Sequence, residues 1–197
     1  VNALLITHRC TPFIQQWGKD NGIEIISTHF DHQQKLENKL WFDRFLETHG
    51  IPRPASAIYC PSKKSKLPFR GKNVLQAVES FGSDGTFFIK NQIDIEKLLK
   101  THKIKPDHDY LIRQFIRGKT YGITVFITNG LLALSALRLQ CFYPKTESSK
   151  KVFAGVHWVP TSHVSRKVRQ QLNTLFKKIG HLLYSMHFFG FANFDLM

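Results

Sequence analysis

Apolar residues come in short blocks along this chain, and the period of the blocks switches between two and about three and a half residues. Ala3-Leu4-Leu5-Ile6-Thr7 reads as a buried strand. Thr11-Pro12 pairs a capping residue with proline at the first helical position, which predicts a helix to about Asn21, stopped by Gly22. Ile23-Glu24-Ile25-Ile26-Ser27 follows as a second strand, giving a β–α–β start with parallel strands. Leu36, Leu40, Trp41, Phe45 and Leu46 then fall at helical spacing, so one amphipathic helix is expected from Leu36 to His49, ended by Gly50. Pro52 and Pro54 force an extended exit into a strand at Ala57-Ile58-Tyr59.

Residues 62–72 are basic and turn-like, and read as an exposed linker. From Asn73 to Lys90 the pattern is strand, glycine-bearing loop, strand. Val74-Leu75 and Ala77-Val78 form the first run, Ser80-Phe81-Gly82-Ser83-Asp84-Gly85 the loop, and Thr86-Phe87-Phe88-Ile89 the second run. A loop of this kind can hold phosphate oxygens on its backbone N–H groups, and it can equally be an ordinary hairpin. Asp94 is expected to cap a helix to about His102, with strands at 110–116 and 121–128 after it. Asn129-Gly130 reads as a hairpin turn into one long partner strand from Leu131 to Cys141. After a polar loop at 142–151 and a strand at 152–159, Thr161 or Ser162 is expected to cap a long helix. Its stripe is Val164, Val168, Leu172, Leu175, Ile179, Leu182 and Met186, and Gly190 is expected to end it. Phe191 to Met197 begins a strand with Asp195 inside; it has no closing turn or partner, which suggests a fragment of a longer chain.

Composition narrows the class. With 197 residues, 42% hydrophobic and 17 phenylalanines, the chain has enough apolar material for a sizeable core. No apolar run approaches a membrane span, and the first residues do not read as a secretory signal. Cys10, Cys60 and Cys141 are scattered, without a CxxC pair, which suits a reducing, cytoplasmic setting. The ten histidines form no HxH or HExxH pattern, and there is no GxSxG. The net charge of +14 admits nucleic acid as a partner, but the basic residues are spread out and no nucleic-acid motif surrounds them. A polyanionic small molecule is the other reading of that charge.

The order of segments from about residue 34 onward resembles the ATP-grasp superfamily, in its carboxylate–amine ligase and carbamoyl-phosphate-synthase-like branch. Five stretches carry the resemblance, in order. Asn38-Lys39 with Phe42, Phe45 and Gly50-Ile51-Pro52-Arg53-Pro54 looks like the opening helix and its exit. Val74-Leu75-Gln76 with the loop to Thr86 looks like the lid strand and phosphate-covering loop. Leu111 to Gly118 looks like the hinge segment that holds adenine, and Thr120 to Val125 with Asn129-Gly130 like the next core strand and hairpin. Gly190-Phe191-Ala192-Asn193-Phe194-Asp195 looks like the strand that carries the first metal-binding carboxylate.

The resemblance implies an α+β ATP-grasp fold with an antiparallel core sheet. A partial β–α–β module would span 1–33 and the ATP-grasp domain 34–197, with a lid near 72–116 and a core from about 117. It implies ATP and Mg²⁺ as cofactors and small-molecule carboxylate and amine substrates, joined through an acylphosphate. Lys39 would meet phosphates; as a residue alone it is equally a solvated helix lysine. Gln76 stands where most of the family has lysine, and would bond adenine or phosphate without charge, or serve as a strand glutamine. Ser80, Gly82, Ser83, Gly85 and Thr86 would close over the phosphates. Gln114, Phe115 and Ile116 would contact adenine, and Arg138 would reach a phosphate or sit at the surface. No acidic residue matches the ribose-binding position, near which Thr120 falls. Asp195, a carboxylate in an apolar run, needs either a metal or a salt bridge to be buried. The family takes its second acidic ligand and an asparagine from about a dozen residues further on. A nucleotide-binding pseudo-ligase, or a basic nucleic-acid-binding protein, are the alternatives.

Overall fold

The computed structural model describes residues 3–7, 10–63, 66–79, 85–129, 131–143 and 152–197. The chain divides into two compact units. One holds Val1–Gln34, Lys119–Cys141 and Gly155–Met197; the other holds Lys35–Gly118 and Phe142–Ala154. Ser80, Gly82, Ser83 and Gly130 lie outside the described residues.

The first unit opens as expected. Strand β1 (Leu4–Ile6) pairs in parallel with β2 (Glu24–Ile26) around α1 (Pro12–Asp20). Thr11 caps α1, its Oγ1 accepting from Ile14 N at 3.2 Å, with Pro12 at the first turn. Helix α2 (Phe30–Glu37) leads into the second unit.

There the single helix expected over 36–49 is interrupted. Asn38 takes extended backbone angles and its side chain accepts from Trp41 N at 2.9 Å, so it caps a new helix, α3 (Lys39–Thr48). An asparagine that can bond the backbone two or three residues on favours a cap over a helix interior, and here it outweighed the apolar spacing. Strands β3 (Ser56–Tyr59), β4 (Asn73–Ala77) and β5 (Thr86–Ile89), helix α4 (Gln92–Lys100) and strand β6 (Tyr110–Gln114) complete the unit. The sheet runs β3-β6-β4-β5, all antiparallel. Gly85, at φ +72°, closes the loop between β4 and β5, and its carbonyl accepts from Ala77 N at 2.8 Å. Positive φ there is a conformation glycine adopts without strain. Asn91, not Asp94, caps α4; Asp94 is the third residue of the capping box and returns a bond to the backbone. One sheet face is sealed by Tyr59, Leu75, Ile89, Tyr110 and Ile112 packed with Ile95 and Ile104.

The other unit's sheet is centred on β7 (Tyr121–Thr128). On one edge it pairs antiparallel with β11 (Gly190–Leu196) along the whole of that strand. The long partner strand expected over 131–141 is two strands on the other edge, β8 (Leu131–Leu134) and β9 (Arg138–Tyr143). The break lies at Ser135, whose hydroxyl accepts from Thr124 N at 2.9 Å and so replaces a ladder bond. Strand β10 (Val152–Trp158) lies beyond β9. Helix α5 (Arg166–Ser185) is capped by Ser165 rather than Thr161 or Ser162, which form a short 3-10 turn. Phe176, Ile179, Gly180 and Leu183 are its buried residues, so the apolar stripe read from the sequence is rotated and only Ile179 is common to both. Helix α5 ends at Met186, before Gly190, which instead opens β11 at φ +115°. A Cβ at Gly190 would lie 3.2 Å from Thr28 N, so the strand's start requires glycine.

Candidate functional site

Alternation along the strands fixes what each sheet shows. On β7, Ile123, Val125 and Ile127 are buried. Phe194 of β11 is opposite Ile123, and its ring meets Phe176 of α5 at 5.3 Å. The opposite face carries Gly122, Thr124, Asn193 and Asp195 in paired register, with Arg138 beside Gly122 on β9.

Two hydrogen-bonded groups lie on this face. Thr124 Oγ1 donates to Asn193 Oδ1 at 2.6 Å. One terminal nitrogen of Arg138 donates to Thr124 Oγ1 at 2.7 Å and to Asn193 Oδ1 at 3.1 Å. The Arg138 guanidinium also lies 5.5 Å from the centre of the Trp158 ring. Gln140 Nε2 donates to Asp195 Oδ1 at 2.6 Å. Asp195 is exposed, so its apolar neighbours Phe194 and Leu196 point the other way and the burial expected from the sequence does not arise. The chain around the carboxyl still crowds out part of its water: this raises its pKa, against the smaller pull of Gln140 and then Arg138.

The four-stranded sheet of the other unit has a polar face of different make. Asp43 of α3 is 5% exposed. Its Oδ1 accepts from Nε and a terminal nitrogen of Arg113, at 3.2 and 2.9 Å. Its Oδ2 accepts from Arg53 at 3.1 Å and from the Ser56 hydroxyl. Arg53 also pairs with Glu47. The remaining terminal nitrogen of Arg113 donates to Gln76 Oε1 at 3.2 Å. Lys39, first in α3, gives its backbone N–H to Val78 O at 3.1 Å, which ties the helix start to the exit of β4. Burial lowers the Lys39 pKa first, and the Arg113 charge lowers it further, while Glu37 acts in the opposite sense.

The remaining expected residues fall along this sheet. Thr86 is opposite Gln76. Gln114 N and Phe115 N are spent on Ala55 O and Lys72 O, at 2.8 and 3.0 Å. A base read at this hinge by backbone donors would therefore take them from Ile116 onward, and Ile116 is exposed. The Lys72 ammonium lies 4.4 Å from the ring centres of both Phe88 and Phe115. The structure brings Lys39 and Gln76 together around Arg113, and Arg138 to the face of Asp195. Asp43, Arg53, Arg113, Thr124, Gln140, Asn193 and Trp158 were missed in the sequence reading. The usable signal was the strand alternation, which puts Arg113 and Gln76 on one face and Asn193 and Asp195 on another.

Among the described residues, no group of three or more His, Cys, Asp or Glu is placed to hold a metal. Mg²⁺ is commonly held by one or two carboxylates, several waters and the substrate's phosphates. Asp195 fits that mode: its carboxyl is accessible, and its hydrogen-bond partner is a neutral amide. Among the described residues no helix is long and apolar enough to cross a membrane.

No family model and no curated protein matches the chain. Solved structures do. The fold is similar to D-alanyl-alanine synthetase A from Vibrio cholerae, with a TM-score of 0.71 at 14% identity, covering 98% of this chain and 61% of that one. It is similar to the VanG D-Ala:D-Ser ligase from Enterococcus faecalis, at 0.70 and 13%, covering 92% and 54%. It is also similar to an L-amino acid ligase from Bacillus licheniformis, at 0.62 and 14%, covering 94% and 42%. These are ATP-grasp enzymes, and the chain has the ATP-grasp fold. It spans 61%, 54% and 42% of the length of these three structures.

Proposed function

We propose that this chain is the nucleotide-binding part of an ATP-dependent ligase that joins a small-molecule carboxylate to an amine. The observation that carries the reading is the arrangement on the β7–β11 face, where an accessible carboxylate, Asp195, stands beside a guanidinium, Arg138, held by Thr124 and Asn193. Such a pair suits a polyphosphate with its cation: the arginine meets phosphate oxygens and the carboxylate meets the metal. The solved structures of like fold are named as ligases of amino acids and related molecules, which supports the same reaction class.

In this reading the substrate carboxylate oxygen attacks the γ-phosphorus of ATP, and ADP leaves. The amine then attacks the acyl carbon of the acylphosphate, and phosphate leaves. Mg²⁺, when bound with the nucleotide, screens the phosphate charge. On the β7–β11 face Asp195 would anchor it and Arg138 would contact phosphate oxygens; in the other unit Lys39 and the loop bordered by Gly85 and Thr86 are the candidates for phosphate contact. Gln114, Phe115 and Ile116 would contact the base. The lid would lie near 72–116, and the setting would be cytoplasmic. A single carboxylate anchors Mg²⁺ only together with phosphate oxygens, so the metal alone should bind weakly.

Thermal unfolding tests this. Ligand at one hundred times its dissociation constant stabilises by about 2.7 kcal/mol, or about 5–10 °C in a chain this size. MgATP should give that shift, Mg²⁺ alone none, and Asp195→Asn should remove the difference between ATP with magnesium and ATP with chelator. A shift that ignores magnesium in the wild type would favour a nucleotide-binding pseudo-ligase. A shift with a nucleic-acid oligomer and none with nucleotide would sink the ligase reading.

A further inference from the structure

Arg113 has no role in that proposal, yet its surroundings are among the most constrained in the molecule. Nε and one terminal nitrogen grip Asp43 Oδ1, and the other terminal nitrogen donates to Gln76 Oε1. Asp43 is in turn fixed by Arg53 and Ser56 on its second oxygen. The guanidinium is thus held from below by a buried carboxylate and from the side by a neutral amide. Its side chain remains 22% exposed. Five N–H groups radiate from a guanidinium and three are spoken for here, which leaves two for a ligand.

Charge points the same way. Lys39, Arg53 and Arg113 bring three cations to this corner, facing the carboxylates of Asp43, Glu47 and Glu37. Lys39 and Arg113 face each other closely enough for the Arg113 charge to lower the Lys39 pKa after burial does. Two like charges in one half-buried place repel, and an anion bound to both removes that cost. Gln76, between them and the β4 exit, adds no charge of its own.

We propose that Arg113, and not Gln76, is the cation that the four-stranded sheet offers to a polyphosphate ligand, with Asp43 as the residue that positions it. This rests on the nucleotide-binding reading above, and it names the source of the lid sheet's charge. A planar fork suits two adjacent phosphate oxygens, so the subsite selects for phosphate over the nucleoside part of the ligand.

Calorimetric titration of the full chain with MgATP, adenosine and inorganic tripolyphosphate tests it. Arg113→Gln should weaken ATP and tripolyphosphate about tenfold or more and leave adenosine unchanged. Adding Gln76→Lys to Arg113→Gln should restore most of the affinity, which a merely structural arginine would not allow. If Arg113→Gln does not fold, Arg113→Lys decides: it keeps a partner for Asp43 but lacks the fork, and should weaken both phosphate ligands about threefold or more. Wild-type affinity for ATP within twofold in the variants overturns the inference and leaves the nucleotide reading standing. Tripolyphosphate binding that depends on Arg113, in a chain that does not bind ATP, upholds the subsite and removes the nucleotide reading. No binding of tripolyphosphate to the wild type overturns the inference.

Discussion

Asp43 and Asp195 each stand on the polar side of an antiparallel sheet, and the two sides hold their acids in opposite ways. Asp43 is buried, with both oxygens engaged by two guanidiniums and a hydroxyl. Asp195 is exposed and takes its hydrogen bond from an amide. A buried charge that is fully paired contributes to one arrangement of its neighbours and has little left for a ligand. An exposed charge beside a neutral donor keeps its affinity for a cation. The comparison therefore separates a carboxylate that builds from one that binds, although both belong to the same residue type.

The largest expected effect breaks the first kind. Asp43→Ala leaves Arg53 and Arg113 without their shared carboxylate and should cost about 3–5 kcal/mol in urea unfolding. Asp195→Ala at the open face should change stability by less than about 1 kcal/mol. Equal losses in the two variants would show that Asp195 is as structural as Asp43.

A pH series sharpens the contrast from the side of the cations. Lys39 has a lowered pKa from burial and then from Arg113, so the folded chain holds that proton less tightly than the unfolded chain. Stability therefore rises with pH between the lowered value and the unfolded value near 10.5. The free energy of unfolding of the wild type, minus that of Lys39→Met, should climb across this window. A polyphosphate favours the protonated lysine, so its affinity should fall over the same window in the wild type and stay flatter in Lys39→Met. A difference between the two chains that is independent of pH would remove Lys39 from the anion-binding corner.

Much of the frame was legible in the sequence because it rests on local signals. Thr11-Pro12 announced α1, the β–α–β start came out parallel, and the runs flanking the glycine loop became β4 and β5. The fold itself followed from the order of such segments. What was not legible depends on partners far along the chain. Asn38 looks like any polar residue within an amphipathic helix until its side chain caps α3. Ser135 looks like part of a strand until its hydroxyl takes the Thr124 N–H. Asp43 lies among residues of mixed polarity on a helix and gave no sign of burial, because Arg113, which makes burial tolerable, is 70 positions away. Asp195, set between apolar residues, looked buried and is not: its neighbours point toward α5 and it points away.

The smallest expected effect concerns how the open face holds its own cation. Arg138 is kept in place by Thr124, Asn193 and the Trp158 ring, and its Nε, though buried, has no hydrogen-bond partner among the described residues. The ring is itself 56% exposed, so its hold on the guanidinium belongs to the weak end of such contacts, about 0.5–1 kcal/mol. A double-mutant cycle of Trp158→Leu and Arg138→Leu should return a coupling of that size. Trp158→Phe, with a weaker ring, should keep part of it. The clamp on Arg113 consists of ion pairs to a buried carboxylate, so the matching cycle of Asp43→Asn and Arg113→Gln should return a coupling several times larger. A Trp158–Arg138 coupling of zero would mean the ring is only a neighbour. Arg138 would then be aimed by Thr124 and Asn193 alone, and Trp158 could be replaced without loss of nucleotide affinity.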